Sequence, residues 1–362
     1  RTAPESSPPE AQPSPEDSHN GPLTAIAVFN PLAWPRSGEM VETVVHVPIG
    51  LACESVAILD GDREIPCTVE AMNSCHTLTQ APHDIPVGSA WRRFRVRFLA
   101  DAPAFGYRTY HVAPRDSAPS DAGLAAIEVG DNWVSNGLIR VEAYENGTLT
   151  LRDLRTGRVY EGLGTLEDGG DFGDGYNYVP PPQDTVLRSS EPLPRGSECN
   201  IKVGSTTLGG RLTVNHCWYV PAGRDGDHRD ATAQAPIYVT IRAKLVPGSP
   251  RLDLNVVVYN QARDHRLRIL FPTGARNARE YAVEQAFDVV NRPIARPDCT
   301  GWKEPQPATG PQKSWMDVSD GAQGLCVINV GLPECEVFDD TDRTAAVTLL
   351  RCTGNGVGLP ED

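Results

Sequence analysis

Four acidic residues set among glycines, Glu167, Asp168, Asp171 and Asp174 in EDGGDFGDGYNYVPP (167–181), form the richest acidic site in the chain. Glycine lets a backbone approach a ligand closely, and aspartate accepts hydrogen bonds from hydroxyl groups. Tyr176 or Tyr178 could stack on a pyranose face. The same residue types also describe a solvated loop built on Asp-Gly turns. A second group, DHRLR (264–268), combines a carboxylate, an imidazole and two guanidinia. On a strand, Arg266 and Arg268 share one face while Leu267 points inward, so a salt-bridged strand face is expected. A third, GRDGDHRD (223–230), brings Asp225, Asp227, His228 and Asp230 close together as oxygen and nitrogen donors. Catalytic zinc draws its ligands from rigid elements, and this glycine-rich polar stretch reads as a solvated loop. There is no GxSxG elbow for a nucleophilic serine and no GxGxxG or phosphate-binding loop.

The elements that must position these groups are short apolar runs broken by Gly, Pro, Asn and Asp. TAIAVFN (24–30), MVETVVHVPI (40–49) and ESVAILD (54–60) each end at a turn signal. WRRFRVRFLA (91–100) alternates Phe94, Val96 and Phe98 with Arg93, Arg95 and Arg97, the period of a half-buried antiparallel strand. Asn146-Gly147 joins two alternating runs, a strong hairpin signal, and Thr156-Gly157 joins the second to a third. The hairpin also accounts for the Asn146-Gly147-Thr148 sequon better than glycosylation does. RLTVNHCWYV, PIYVTIRAKLV, RLDLNVVVYN and AAVTLLRC continue the meander. No window of 12 or more residues has a convincing helical period. With 32 prolines and 33 glycines for turns, the fold class is all-β, built of sandwiches.

Composition narrows the partners. The 362 residues carry 33 basic and 47 acidic side chains, a formal charge of −14, which repels nucleic acid and anionic membranes. No apolar stretch approaches the roughly 20 residues needed to cross a bilayer as a helix. The nine cysteines include no CxxC pair, and most are expected as small buried hydrophobes in a reducing compartment. Residues 1–22, rich in Pro, Glu and Ser, read as a flexible linker, and RDSAPSDAG (115–123) reads as a second linker-like stretch.

VFNPLAWPRSG (28–38) resembles the segment that opens the β-domains of glycoside hydrolase family 38 α-mannosidases. The resemblance continues in order through GDREIPCTVE, FLADAPAFGYRTYHV, VSNGLIRVEAYENGTLTLRDLRTGRVY, EDGGDFGDGYNYVPP, DHRLRILFPT, AFDVVNRP and VINVGLPECEV. It implies a linker at 1–22, a small β-sandwich at 23–115 and a large galactose-mutarotase-like antiparallel supersandwich at 116–362. It further implies that the aspartate nucleophile and a zinc site belong to an upstream catalytic domain, and that further strands follow past Asp362, so both ends of the parent protein are expected to be missing here. PHDIPVG (82–88) echoes the family's zinc-ligand histidine segment. It follows the FNPL motif where the family has it before, so a metal role is rejected.

The resemblance implies that the parent is a zinc-dependent retaining hydrolase of terminal α-mannosides, with homo-oligomeric contacts expected of its β-domains. The lack of a signal-peptide core in the first 22 residues makes a cytoplasmic location the expectation. This chain would be inactive alone and bind no cofactor. Retention needs two carboxylates about 5–5.5 Å apart, which the missing domain would supply. Through the matching family loop, Tyr176, Asp174, Asp171 and Tyr178 become the expected substrate-binding residues, with Tyr176 favoured at the bound mannose. Two other readings stay open. One is a stand-alone carbohydrate-binding or mutarotase-like module with Trp91, Trp133, Trp218, Trp302 and Trp315 available as stacking platforms, some of them necessarily core. The other is a purely structural interaction domain.

Overall fold

The computed structural model describes residues 23–79, 87–117, 119, 127–192, 194–206, 209–229, 232–303 and 306–354. The 1–22 linker, residues 82–86 of the PHDIPVG segment and most of the second linker lie outside this set. The chain divides into two compact units, Arg1–Ala125 and Ala126–Asp362. None of the described residues is helical, and every pair of neighbouring strands runs antiparallel.

In the first unit a three-stranded sheet, in the order Arg36–Pro48, Val87–Ala102, Cys67–Thr79, shares a core with a four-stranded sheet. The latter runs Thr24–Asn30, Gly106–Arg115, Ser55–Asp60, Arg63–Ile65. The central strand shows why alternation fixes a face. Phe94, Val96 and Phe98 are buried, with Phe98 packed on Tyr110 at 5.0 Å between centroids. Arg95 and Arg97 on the other face pair with Glu42 and Glu70.

The second unit holds three large sheets around one core. A five-stranded meander runs from Glu128–Val129 to Val159–Leu163. A four-stranded sheet orders Glu198–Thr206, Gly209–Pro221, Gln234–Leu245 and Leu252–Asn260. A six-stranded sheet contains Leu187–Arg188, Thr165–Gly170, His265–Phe271, Ala345–Cys352, Glu334–Val337 and Gly310–Pro311 in that order. Residues of all three meet in the core, whose largest side chain is Trp218. A further four-stranded sheet orders Asp288–Pro293, Glu280–Gln285, Trp315–Ser319 and Gly324–Ile328.

Both turn signals hold. Gly147 at φ +81° links Ile139–Ala143 to Leu149–Asp153, and Gly157 at φ +74° links that strand to Val159–Leu163. Left-handed backbone is where glycine has no steric cost.

One expectation needs correction. Only Cys53, Cys67 and Cys335 are fully buried, while five other cysteines are half-buried and Cys326 is exposed; all nine are free thiols. Cys75, Cys199, Cys217, Cys326 and Cys352 fall on strands, where period two, not residue type, decides which side faces in, and Cys299 lies outside any strand. Trp218 is a core residue with 1 % exposure and so is unavailable for stacking. Trp91, Trp133 and Trp315 are half-buried, and Trp302 is exposed.

Candidate functional site

The six-stranded sheet carries the candidate residues, and its two faces have opposite characters. One face sends Leu166, Leu267, Ile269, Phe271, Val347, Cys335 and Val337 into the core. The other bears Glu167, Arg266, Arg268, Glu334 and Glu336, because adjacent strands stand in register and side chains alternate. Arg268 sits between Glu167 and Glu336 and bonds both. Arg188 adds a 2.8 Å pair to Glu167, and Arg296 a 2.9 Å pair to Glu336. Burial works against the charged form of Glu167, yet Arg268 and Arg188 outweigh it and hold its carboxyl below the usual range. The expected salt-bridged strand face is therefore present, but it is buried, not solvated: Arg266 and Arg268 are 6 % and 8 % exposed. Buried charges persist only when paired.

Past Gly170 the chain leaves this sheet as the 171–179 loop, and its glycines serve the loop itself. A Cβ at Gly173 would lie 1.8 Å from the Asn177 carbonyl oxygen, and one at Gly170 would meet Pro181 and Arg229 within 2.9 Å. Close approach is thus to neighbouring protein. Asp171 is fully buried, accepts from the Gly173 N–H at 3.0 Å, and receives Arg351 Nε at 2.6 Å and Nη2 at 3.2 Å. Arg351 Nη2 also donates to the carbonyls of Asp174 and Asn177, at 2.9 and 2.7 Å. One guanidinium from the last strand clamps the loop at three points. Asp174 accepts from the N–H groups of Asn177 and Tyr176, both at 2.8 Å, which lowers its pKa. Tyr178 is half-buried with its ring 3.4 Å from the Arg266 guanidinium, and burial pushes its phenol up.

Of the four expected substrate-binding residues, Asp171 and Tyr178 are engaged in holding the loop. Asp174 shapes its turn, and Tyr176 projects with 78 % exposure. Glu167 and Asp168 lie on the Thr165–Gly170 strand and not in the loop.

Beneath the loop lies a buried cluster that sequence reasoning did not assemble. Asp168 Oδ1 is 2.6 Å from His265 Nδ1, and Oδ2 accepts from Arg229 Nη2 at 2.5 Å. His265 Nε2 faces Asn260 Oδ1 at 3.1 Å. Arg229 comes from GRDGDHRD, which is not an unstructured solvated loop. It forms a two-stranded hairpin of Arg224–Asp225 with His228–Arg229, turned at Gly226 with φ +60°. Arg229 is 4 % exposed because its charge is met by Asp168. The hairpin lies against the other polar segment: Gln183 bridges His228, and the Arg224 guanidinium sits 5.6 Å from the Phe172 ring. Asp230 lies outside the described residues. Among the described residues no group of three or more His, Cys, Asp or Glu side chains could hold a metal ion. The available signal for these missed residues was a charge interrupting an apolar strand, as Arg351 does in AAVTLLRC.

The family description "Glycosyl hydrolases family 38 C-terminal domain" matches residues 134–354, a span that includes the loop, the hairpin and Arg351. The chain belongs to glycoside hydrolase family 38. It is similar to the putative mannosylglycerate hydrolase of Halalkalibacterium halodurans, 28 % identical over 283 residues, which is 73 % of this chain and 30 % of that protein. An α-mannosidase structure from Enterococcus faecalis V583 superposes with a TM-score of 0.77 at 22 % identity, over 91 % of this chain and 40 % of that one. A second family 38 structure from Enterococcus faecalis gives 0.73 at 22 % identity, over 91 % and 41 %. These likenesses establish the all-β fold. The chain spans about a third of the curated relative's length, and the family it belongs to is one of glycosidases.

Proposed function

We propose that this chain is the β-rich portion of a zinc-dependent retaining α-mannosidase acting on terminal α-mannosides, and that its 171–179 loop completes one wall of the sugar pocket. The observation that carries the reading is the loop's construction inside the family-matched region. Arg351 and Asp171 fix its backbone while Tyr176 is left outward, with Asp174 beside it. A phenol carried on a loop whose backbone is already fixed offers a ring face and a hydroxyl to a pyranose without a backbone ordering cost on binding. The described residues do not fit zinc, since they lack a ligand group. The metal and the carboxylate pair for retention are therefore assigned to the remainder of a longer polypeptide, and no step is routed through them here. The relative's name makes α-mannosylglycerate one substrate to try.

The test has two arms. The isolated chain, assayed with an aryl α-mannoside and zinc, is expected to give no turnover above a boiled control; chelator-sensitive turnover would overturn that expectation. In the full-length protein Tyr176→Ala is expected to lower kcat/KM for the same substrate by about tenfold, the loss of one hydrogen bond or stacking contact. Wild-type kinetics in that variant would remove the loop from the pocket.

A further inference from the structure

The hairpin of Arg224–Asp225 and His228–Arg229 is exposed at its tip and tied to the loop region at several points. These are the Arg229–Asp168 pair, the Arg229 donation to the Thr185 carbonyl, the Gln183–His228 bridge, and Arg224 over Phe172. Most charges on this surface are already met. Asp171 pairs with Arg351, and Asp168 with Arg229 and His265. Asp174 accepts two N–H groups and Asp184 accepts from the Gly170 N–H, whereas Asp225 is exposed with only the His228 imidazole, 3.8 Å away, beside it. Arg224 is different: exposed, with no ion pair among the described residues, and held over an aromatic ring of the candidate loop. At the base of the hairpin, Arg263 Cβ lies 3.7 Å and Asp264 Oδ2 3.8 Å from where a Cβ on Gly223 would sit, so this end carries a carboxylate as well as a second exposed arginine. Asp227 at the hairpin turn, Asp225 next to Arg224, and Asp264 are the opposing charges.

A guanidinium has a planar fork that matches a carboxylate bidentately, and stacking on a ring limits the rotamers it must give up. We propose that Arg224 is a specificity-determining residue that binds the carboxylate of an acidic aglycone, attached to a mannose held against the 171–179 loop. The proposal rests on the mannosidase reading and extends it to the side of the substrate beyond the sugar.

The experiment compares kcat/KM of the full-length protein for α-mannosylglycerate and for a neutral aryl α-mannoside. Arg224→Gln is expected to lower the ratio of the two by about tenfold through KM, with Arg224→Lys recovering part of it, because the charge remains and the fork is lost. Asp227→Asn is expected to raise the ratio. Both positions are exposed, and matching circular dichroism of the variants checks that the fold is intact. If the wild type hydrolyses the aryl mannoside but not mannosylglycerate, or if Arg224→Gln leaves the ratio within twofold, the inference fails and the mannosidase reading stands. If the wild type hydrolyses neither, the mannosidase reading itself fails and the inference falls with it.

Discussion

Replacing Arg351 with Met leaves Asp171 buried without its counter-charge and frees the carbonyls of Asp174 and Asn177. Breaking a buried pair in this way costs about 3 kcal/mol, so the urea midpoint should fall accordingly, while adding Asp171→Asn should restore more than half of the loss. His216 makes a second residue-scale prediction. It is 3 % exposed, neither ring nitrogen has a hydrogen-bond partner among the described residues, and burial lowers its pKa to about 4 from 6.5. The folded state thus keeps His216 neutral where the unfolded chain takes up a proton. Its contribution to stability is complete above pH 6.5 and is lost as pH falls from there towards 4, by up to about 3 kcal/mol. His216→Leu should flatten stability over that window; an unchanged slope in denaturation series between pH 4 and 7 would count against it.

The hairpin that ends against His216 links that residue to its element. Gly147 is left-handed at φ +81°, and a Cβ there would fall 2.3 Å from the imidazole. Gly157, in the next turn, has the same backbone sign at φ +74° but open space around it. Gly157→Ala should therefore cost about 1 kcal/mol for backbone strain alone, and Gly147→Ala about 3 kcal/mol for strain plus overpacking. Equal midpoints for the two variants in chemical denaturation would show that the steric contact carries no weight. Both turns were legible from Asn-Gly and Thr-Gly between alternating runs, since the chemistry of such a turn is local. The packing of His216 onto one of them was not, because it depends on a strand some 70 residues away.

The described residues hold no metal site, so a chelator is expected to leave the thermal midpoint of this chain within about 1 °C, whereas a bound structural ion would lower it by mass action. The strand periodicity and the turn signals were enough to specify an all-β protein. They also specified the in-and-out pattern of Phe94, Val96 and Phe98, and the order of motifs that marks the family. These features live in local periodicity and turn chemistry, which a linear string records directly. Whether a polar residue is exposed or buried is not recorded there. Glu167, Asp168 and Asp171 read as a sugar-binding or a solvated loop, and Arg229 as part of a solvated one, yet each is buried against an opposite charge brought from a distant strand or hairpin. Tertiary structure alone decided that Asp171 and Tyr178 hold the loop while Tyr176 faces outward, and that GRDGDHRD lies beside the loop. The physical reason is that a charge can leave water only when a partner meets it, and sheet register determines which partners meet.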